Sequence, residues 1–219
     1  PAFAGKKEVR NPGVKLKQTY GIESVEIMNT PTGIVIDSDQ NVYVAETASS
    51  YIKKYDANGN LIKVIGERGN APGQLNAPME MDILNGVLYI GEVGGRRISR
   101  YTLGGEFIDT VGEGELVGPR SVAVDALGTM YALDEFSNRM VTFDADGNKI
   151  AECRPIEFFF PNDIDFDNGY LYVANASAHN ILKMDTDCNV IAATGTQGTA
   201  PGQMYYPRGI LVKDGMVYV

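Results

Sequence analysis

Pro31-Thr32-Gly33-Ile34-Val35-Ile36-Asp37, then Asn41-Val42-Tyr43-Val44, then Asp56-Ala57-Asn58-Gly59-Asn60 form the stretch that decides the fold. An apolar run after a proline, a polar break and a tyrosine-centred apolar run read as two strands joined by a turn. The pattern recurs. Tyr43, Tyr89, Tyr131, Tyr172 and Tyr218 follow one another at intervals of 46, 42, 41 and 46 residues, each inside a short apolar stretch. Pro31, Pro78, Pro119, Pro161 and Pro207 keep the same beat, at 47, 41, 42 and 46. Two residue types held in step five times mark an internal repeat.

Each repeat supplies four strands. A third, alternating run such as Ile52-Lys53-Lys54-Tyr55 or Arg139-Met140-Val141-Thr142-Phe143 follows the tyrosine strand. A tight turn, Asp144-Ala145-Asp146-Gly147-Asn148 for example, leads to a fourth run such as Leu61-Ile62-Lys63-Val64-Ile65. No 3.6-residue periodicity competes with this pattern. A four-stranded unit of this length cannot bury both faces alone, so copies stack radially into an all-β propeller. Complete blades are expected at 31–77, 78–118, 119–160 and 161–206, with a partial one at 207–219. The tyrosine strands should lie inside the wall, with Val42, Val44, Leu88, Ile90 and Val173 buried between blades.

Residues 1–13 read as a tail and 14–219 as the propeller. Val14 to Gly21 alternates like the outer strand of a closing blade. Val219 falls inside an element whose four earlier equivalents continue into a third strand. The expectation is a longer polypeptide of six blades, or another chain that completes the sheet by strand addition.

The repeat resembles the NHL repeat: P-x-G-[IV]-x-[IV]-D, N-x-Y-V-[AT]-[DE], N-H-R-I and D-x-D-G. The likeness runs from Pro31 to the end, and is strongest in the first blade. Its linker Gly66-Glu67-Arg68-Gly69-Asn70-Ala71-Pro72-Gly73-Gln74-Leu75 returns as Gly195 to Met204. The chain departs from the pattern at N-H-R-I, which reads Ser49-Ser50-Tyr51-Ile52, Gly95-Arg96-Arg97-Ile98, Ser137-Asn138-Arg139-Met140 and Ala178-His179-Asn180-Ile181. The resemblance implies an exported microbial NHL-repeat protein whose loop face binds a protein, peptide or carbohydrate. The alternative it carries is a metal-dependent propeller hydrolase or lyase similar to the gluconolactonase family.

Nineteen basic against 28 acidic residues give a net charge of −9. Such a chain repels phosphate backbones, so nucleic acid is not an expected partner. No stretch approaches the roughly 20 apolar residues of a membrane span. Ala2-Phe3-Ala4 matches the small-x-small pattern before a signal-peptidase cut, which points to an extracellular or periplasmic location. Cys153 and Cys188 permit one disulfide or two half-buried thiols, and their spacing fits no metal motif.

Glu46, Glu92, Asp134 and Asn175 end the second strand in four blades. Convergent oxygens would suit a hard cation such as Ca²⁺. Repetition in every blade favours hydrogen bonds to a turn of the same or a neighbouring blade. His179, the single histidine, falls on the His of N-H-R-I and reads as a loop residue; zinc chemistry draws on sets of imidazoles. The Asp56 and Asp144 segments read as hairpin turns rather than EF-hand loops, since they sit between two strands and Asp, Asn and Gly there are turn formers. Asn175-Ala176-Ser177 fits a glycosylation sequon. No catalytic, cofactor-binding or metal residue is assigned from sequence, and no cofactor is expected.

Overall fold

The computed structural model describes residues 28–219; the tail at 1–13 and the strand expected over 14–20 lie outside the described residues. The first blade holds β1 (Pro31–Ile36), β2 (Val42–Glu46), β3 (Tyr51–Tyr55) and β4 (Leu61–Ile65). The second holds β5 (Pro78–Leu84), β6 (Val87–Glu92), β7 (Arg97–Thr102) and β8 (Phe107–Val111). The third holds β9 (Pro119–Val124), β10 (Met130–Asp134), β11 (Arg139–Phe143) and β12 (Lys149–Cys153). The fourth holds β13 (Pro161–Asp167), β14 (Tyr170–Asn175), β15 (Asn180–Asp185) and β16 (Val190–Thr194). A fifth, two-stranded sheet pairs β17 (Leu211–Lys213) with β18 (Met216–Tyr218). Each four-stranded sheet is an antiparallel meander in sequence order. This is the expected propeller of four complete blades and a partial one.

In the four complete blades the beat proline opens the first strand, where no ladder hydrogen bond needs its missing N–H. The tyrosine beat has its own cause in two blades. The Tyr43 hydroxyl donates to Asp37 at 3.0 Å, and Tyr131 to Asp125 at 3.2 Å. The same aspartates accept the amides of Asn41 and Thr129 and so close the β1–β2 and β9–β10 turns.

Val42, Val44, Leu88, Ile90 and Val173 are buried, as the pattern requires. One cluster joins Tyr43, Ile52 and Ile65 of the first blade to Met81, Leu88 and Ile90 of the second. A second cluster joins Ala123, Leu133 and Met140 of the third blade to Ile164, Val173 and Leu182 of the fourth. The alternation read in the third strands does not become half-exposure: all of β11 is buried, Arg139 and Thr142 included. Blades cover both faces of an inner strand, so its polar side chains are enclosed as well. The outer strand β12, by contrast, is exposed along most of its length.

A disulfide joins Cys153, at the end of β12, to Cys188 in the β15–β16 turn, with a Cα–Cα distance of 6.4 Å. Of the two states the sequence allowed, the structure takes the bonded one, which fastens the third blade to the fourth at the outer rim.

Candidate binding face and axial cavity

The repeated second-strand acids hold the linkers between blades. Glu92 Oε2 accepts the Asn76 amide at 2.6 Å, and Asp134 Oδ1 accepts the Gly118 amide at 2.6 Å. Asn175 Oδ1 accepts the Phe159 amide at 2.7 Å. Basic side chains neutralise the buried acids: Arg97 on Glu92 at 3.1 Å, Arg139 on Asp134 at 2.8 Å, and Lys53 on Glu46 at 2.8 Å. Arg97 and Arg139 also donate to the carbonyls of Gln74 and Glu115, each four residues before a beat proline. In the fourth blade the acid is Asn175, and its Nδ2 donates to the equivalent carbonyl of Glu157 at 2.7 Å.

All four of these residues are fully buried. A hard-cation site needs oxygens free to converge, and here backbone amides already occupy those of Glu92, Asp134 and Asn175, while Glu46 is paired with the Lys53 ammonium. The set does not fit a metal. Among the described residues no three His, Cys, Asp or Glu side chains gather as metal ligands. Burial of Asn175, whose amide is fully engaged, also closes the sequon.

The His position of the motif makes the companion contact. Ser50 Oγ accepts the Ala77 amide at 3.2 Å, Asn138 Oδ1 the Phe160 amide at 3.1 Å, and His179 Nδ1 the Tyr206 amide at 3.1 Å. Ser50, Arg96, Asn138 and His179 all adopt left-handed backbone conformations, with φ of 62°, 56°, 49° and 57°. The serine and asparagine that replace the motif histidine thus keep its structural role in two blades, and His179 itself fills it in the fourth. Asp56, Asp144 and Asp185 cap their hairpins by accepting the amides of Asn60, Asn148 and Asn189.

The first strands surround a cavity of about 510 Å³ along the axis, lined in part by Thr32, Glu80, Asp82, Arg120, Asp165 and Arg208. Acids sit two and four residues after the proline in the second and fourth blades alone. Asp82 accepts the Val124 amide at 2.7 Å, tying the second blade to the third. Asp163 accepts the Ser121 hydroxyl at 2.6 Å and the Ile210 amide at 2.8 Å, and Asp165 accepts the Val212 amide at 2.5 Å. Burial pushes Asp82 and Asp163 up to about 6 despite these donors.

Glu80 is different. It occupies the position of Asp163, yet among the described residues none donates a hydrogen bond to it. Gly33 stands where Ser121 serves Asp163, and a Cβ there would lie 3.0 Å from Glu80 Oε2 and 2.3 Å from the Met79 carbonyl. Burial first, then the Asp163 carboxylate, raise Glu80 to about 7, with Arg120 opposing them. Sequence reasoning missed this group. Its signal was the acids placed inside apolar first strands, Pro78-Met79-Glu80-Met81-Asp82 and Pro161-Asn162-Asp163-Ile164-Asp165.

The linker face of the propeller carries exposed apolar side chains. Ile156 is 87% exposed, Phe136 64%, and Phe159 and Phe160 58% each. With Pro155 and Phe158 they line a groove of about 520 Å³ at the third blade. Beyond it, His179, Tyr205 and Tyr206 form a cluster of three rings.

No family model matches the chain. In sequence it is 27% identical over 121 residues, 54% of its length, to Protein brain tumor of Drosophila melanogaster, and the match covers 12% of that protein. That NHL-repeat relative supports the reading of the repeat. Among solved structures, a streptogramin B lyase superposes with a TM-score of 0.67 at 17% identity, covering 90% of this chain and 63% of the other. A catalytically inactive virginiamycin B lyase variant from Staphylococcus aureus, solved with quinupristin, gives 0.66 at 20% identity, covering 86% and 61%. The chain therefore spans less than two thirds of the proteins it resembles, and the likeness to the lyases is one of fold.

Proposed function

We propose that this chain is a binding module that presents its linker face to a protein or peptide partner. The observation that carries the reading is the groove at the third blade. A patch of Ile156, Phe136, Phe159 and Phe160 side chains gains by being covered. The residues around it are held by the linker hydrogen bonds, so the groove is preformed and little ordering opposes binding. An extracellular or periplasmic setting accompanies this reading, since the Cys153–Cys188 bond persists in oxidising compartments.

Panning a displayed peptide library against the chain tests it. Enriched peptides should bind the wild type and lose binding to an Ile156→Ser/Phe160→Asn double variant. Phe160 has φ 48°, a conformation that asparagine tolerates well. Failure to enrich any peptide, or equal binding by the variant, contradicts the proposal.

Glu80 favours a second reading, an enzyme of the lyase kind. A cavity carboxyl that titrates near neutrality and holds no blade together is suited to general acid–base work. The fold likeness to the streptogramin B and virginiamycin B lyases supplies a substrate to try. Loss of intact quinupristin in the presence of the chain, abolished by Glu80→Gln, would favour this reading over the first.

A further inference from the structure

The linker before the fifth blade repeats the one before the second at six of ten positions, and the two have the same internal backbone bonds. Gln74 Oε1 accepts the Ala71 amide at 3.0 Å, and Gln203 Oε1 the Ala200 amide at 3.1 Å. Parallel bridges Arg68–Leu75 and Gln197–Met204 close both loops. The copies then diverge: Asn76-Ala77 in one is Tyr205-Tyr206 in the other. Ala77 and Tyr206 share a left-handed backbone, at φ 50° in each. Their amides meet Ser50 in one case and His179 in the other. A serine, an asparagine and an alanine therefore suffice for the architecture. The imidazole and two phenol rings are surplus to it.

These rings face outward. Tyr205 is 65% and Tyr206 46% exposed; Val117 and Phe159, which stand at the Tyr205 position before complete blades, are also exposed. Asn76, the fourth residue at this position, is half-buried, so outward orientation is common to three of the four linkers. His179 and Tyr205 stack at 5.3 Å with ring planes 22° apart, forming a flat surface. Tyr206 stands edge-on to both, at 4.7 Å from His179 and 5.1 Å from Tyr205. The Nδ1 acceptor bond fixes the imidazole, so the platform is ordered before any ligand arrives.

We propose that His179, Tyr205 and Tyr206 form a carbohydrate-binding platform for a β-linked pyranose glycan. Sugars with equatorial hydroxyls have a flat face of C–H bonds, which lies against an aromatic ring. Their rim of hydroxyls needs hydrogen-bonding groups, here two phenols and the second imidazole nitrogen. The cluster supplies both and contains no aliphatic side chain, unlike the Ile156 groove. Aromatic side chains with polar tips, bearing few rotatable bonds, give contact area with little entropy loss.

The full chain is titrated with cellohexaose and with chitohexaose by calorimetry. Binding of at least one is expected, and Tyr205→Asn/Tyr206→Ala, which copies the linker before the second blade, should weaken it at least tenfold. His179→Ser, which copies Ser50, should weaken it severalfold. The Ile156→Ser/Phe160→Asn variant should bind the sugar as the wild type does, so this inference stands or falls apart from the peptide groove. Binding of neither hexasaccharide, unchanged affinity in both ring variants, or binding of a proline decapeptide in place of the sugars would overturn it.

Discussion

Asn175 Nδ2 donates to Asn180 Oδ1 at 3.0 Å, at the place where the two preceding blades pair Glu92 with Arg97 and Asp134 with Arg139. Acid and base have been exchanged together for a neutral pair. Physical necessity explains it, because one buried charge left without its partner is strongly destabilising. Asn180→Arg alone should lower stability by about 2 kcal/mol. Adding Asn175→Asp should recover most of the loss, since the new arginine could then donate to the Glu157 carbonyl as Arg139 does to Glu115. Urea denaturation of the two variants checks this; equal destabilisation would deny the coupling.

Leu88 and Val173 have no exposed surface and lie in clusters shared between blades. Leu88→Ala should cost about 2–4 kcal/mol, and Val173→Ala somewhat less. Unchanged denaturant midpoints would mean that the register of β6 and β14 is misassigned.

Glu80 gives the chain a pH signature. Its folded-state value is raised from 4.5 to about 7, so the native state holds this proton after the unfolded chain has lost it. Stability from this group is present below about 4.5 and is lost as pH rises through about 7. Glu80→Gln, neutral throughout, should match the wild type at pH 4.5 and exceed it at pH 8 by on the order of 2 kcal/mol. A difference that does not change between these pH values would show that the carboxyl is solvated.

The disulfide closes a segment of 35 residues between the third and fourth blades. Its removal by Cys153→Ser/Cys188→Ser should lower stability by about 2–4 kcal/mol without changing the circular dichroism of the folded state. Reductant should destabilise the wild type and leave the double variant unaffected.

The four complete blades and their strand order were readable because proline marks each of their first strands and tyrosine each second strand, its hydroxyl returning to an aspartate in two of them. The linker role of Glu92 and Asp134 was readable in kind, as a turn contact, but its partner amides at Asn76 and Gly118 were not. Those partners lie about 16 residues upstream, with no local periodicity to reveal them. The axial acids were missed because Glu80 and Asp82 sit in an apolar strand that reads as core. Only the convergence of first strands turns them toward a cavity. The exposure of Phe159 and Phe160 was not legible either, since nothing local separates them from Phe158, which alone of the three is buried.

The proposal of a linker-face binding module is tested most directly by the affinity of one selected peptide for paired variants. Fluorescence polarisation would compare the wild type with Ile156→Ser/Phe160→Asn on the linker face. Leu127→Ser, 85% exposed in the β9–β10 turn on the opposite face, serves as control. The account predicts at least a tenfold loss for the linker-face variant and none for Leu127→Ser, with all three proteins equally stable. Equal affinity in the wild type and both variants, or equal loss in the two variants, would contradict it.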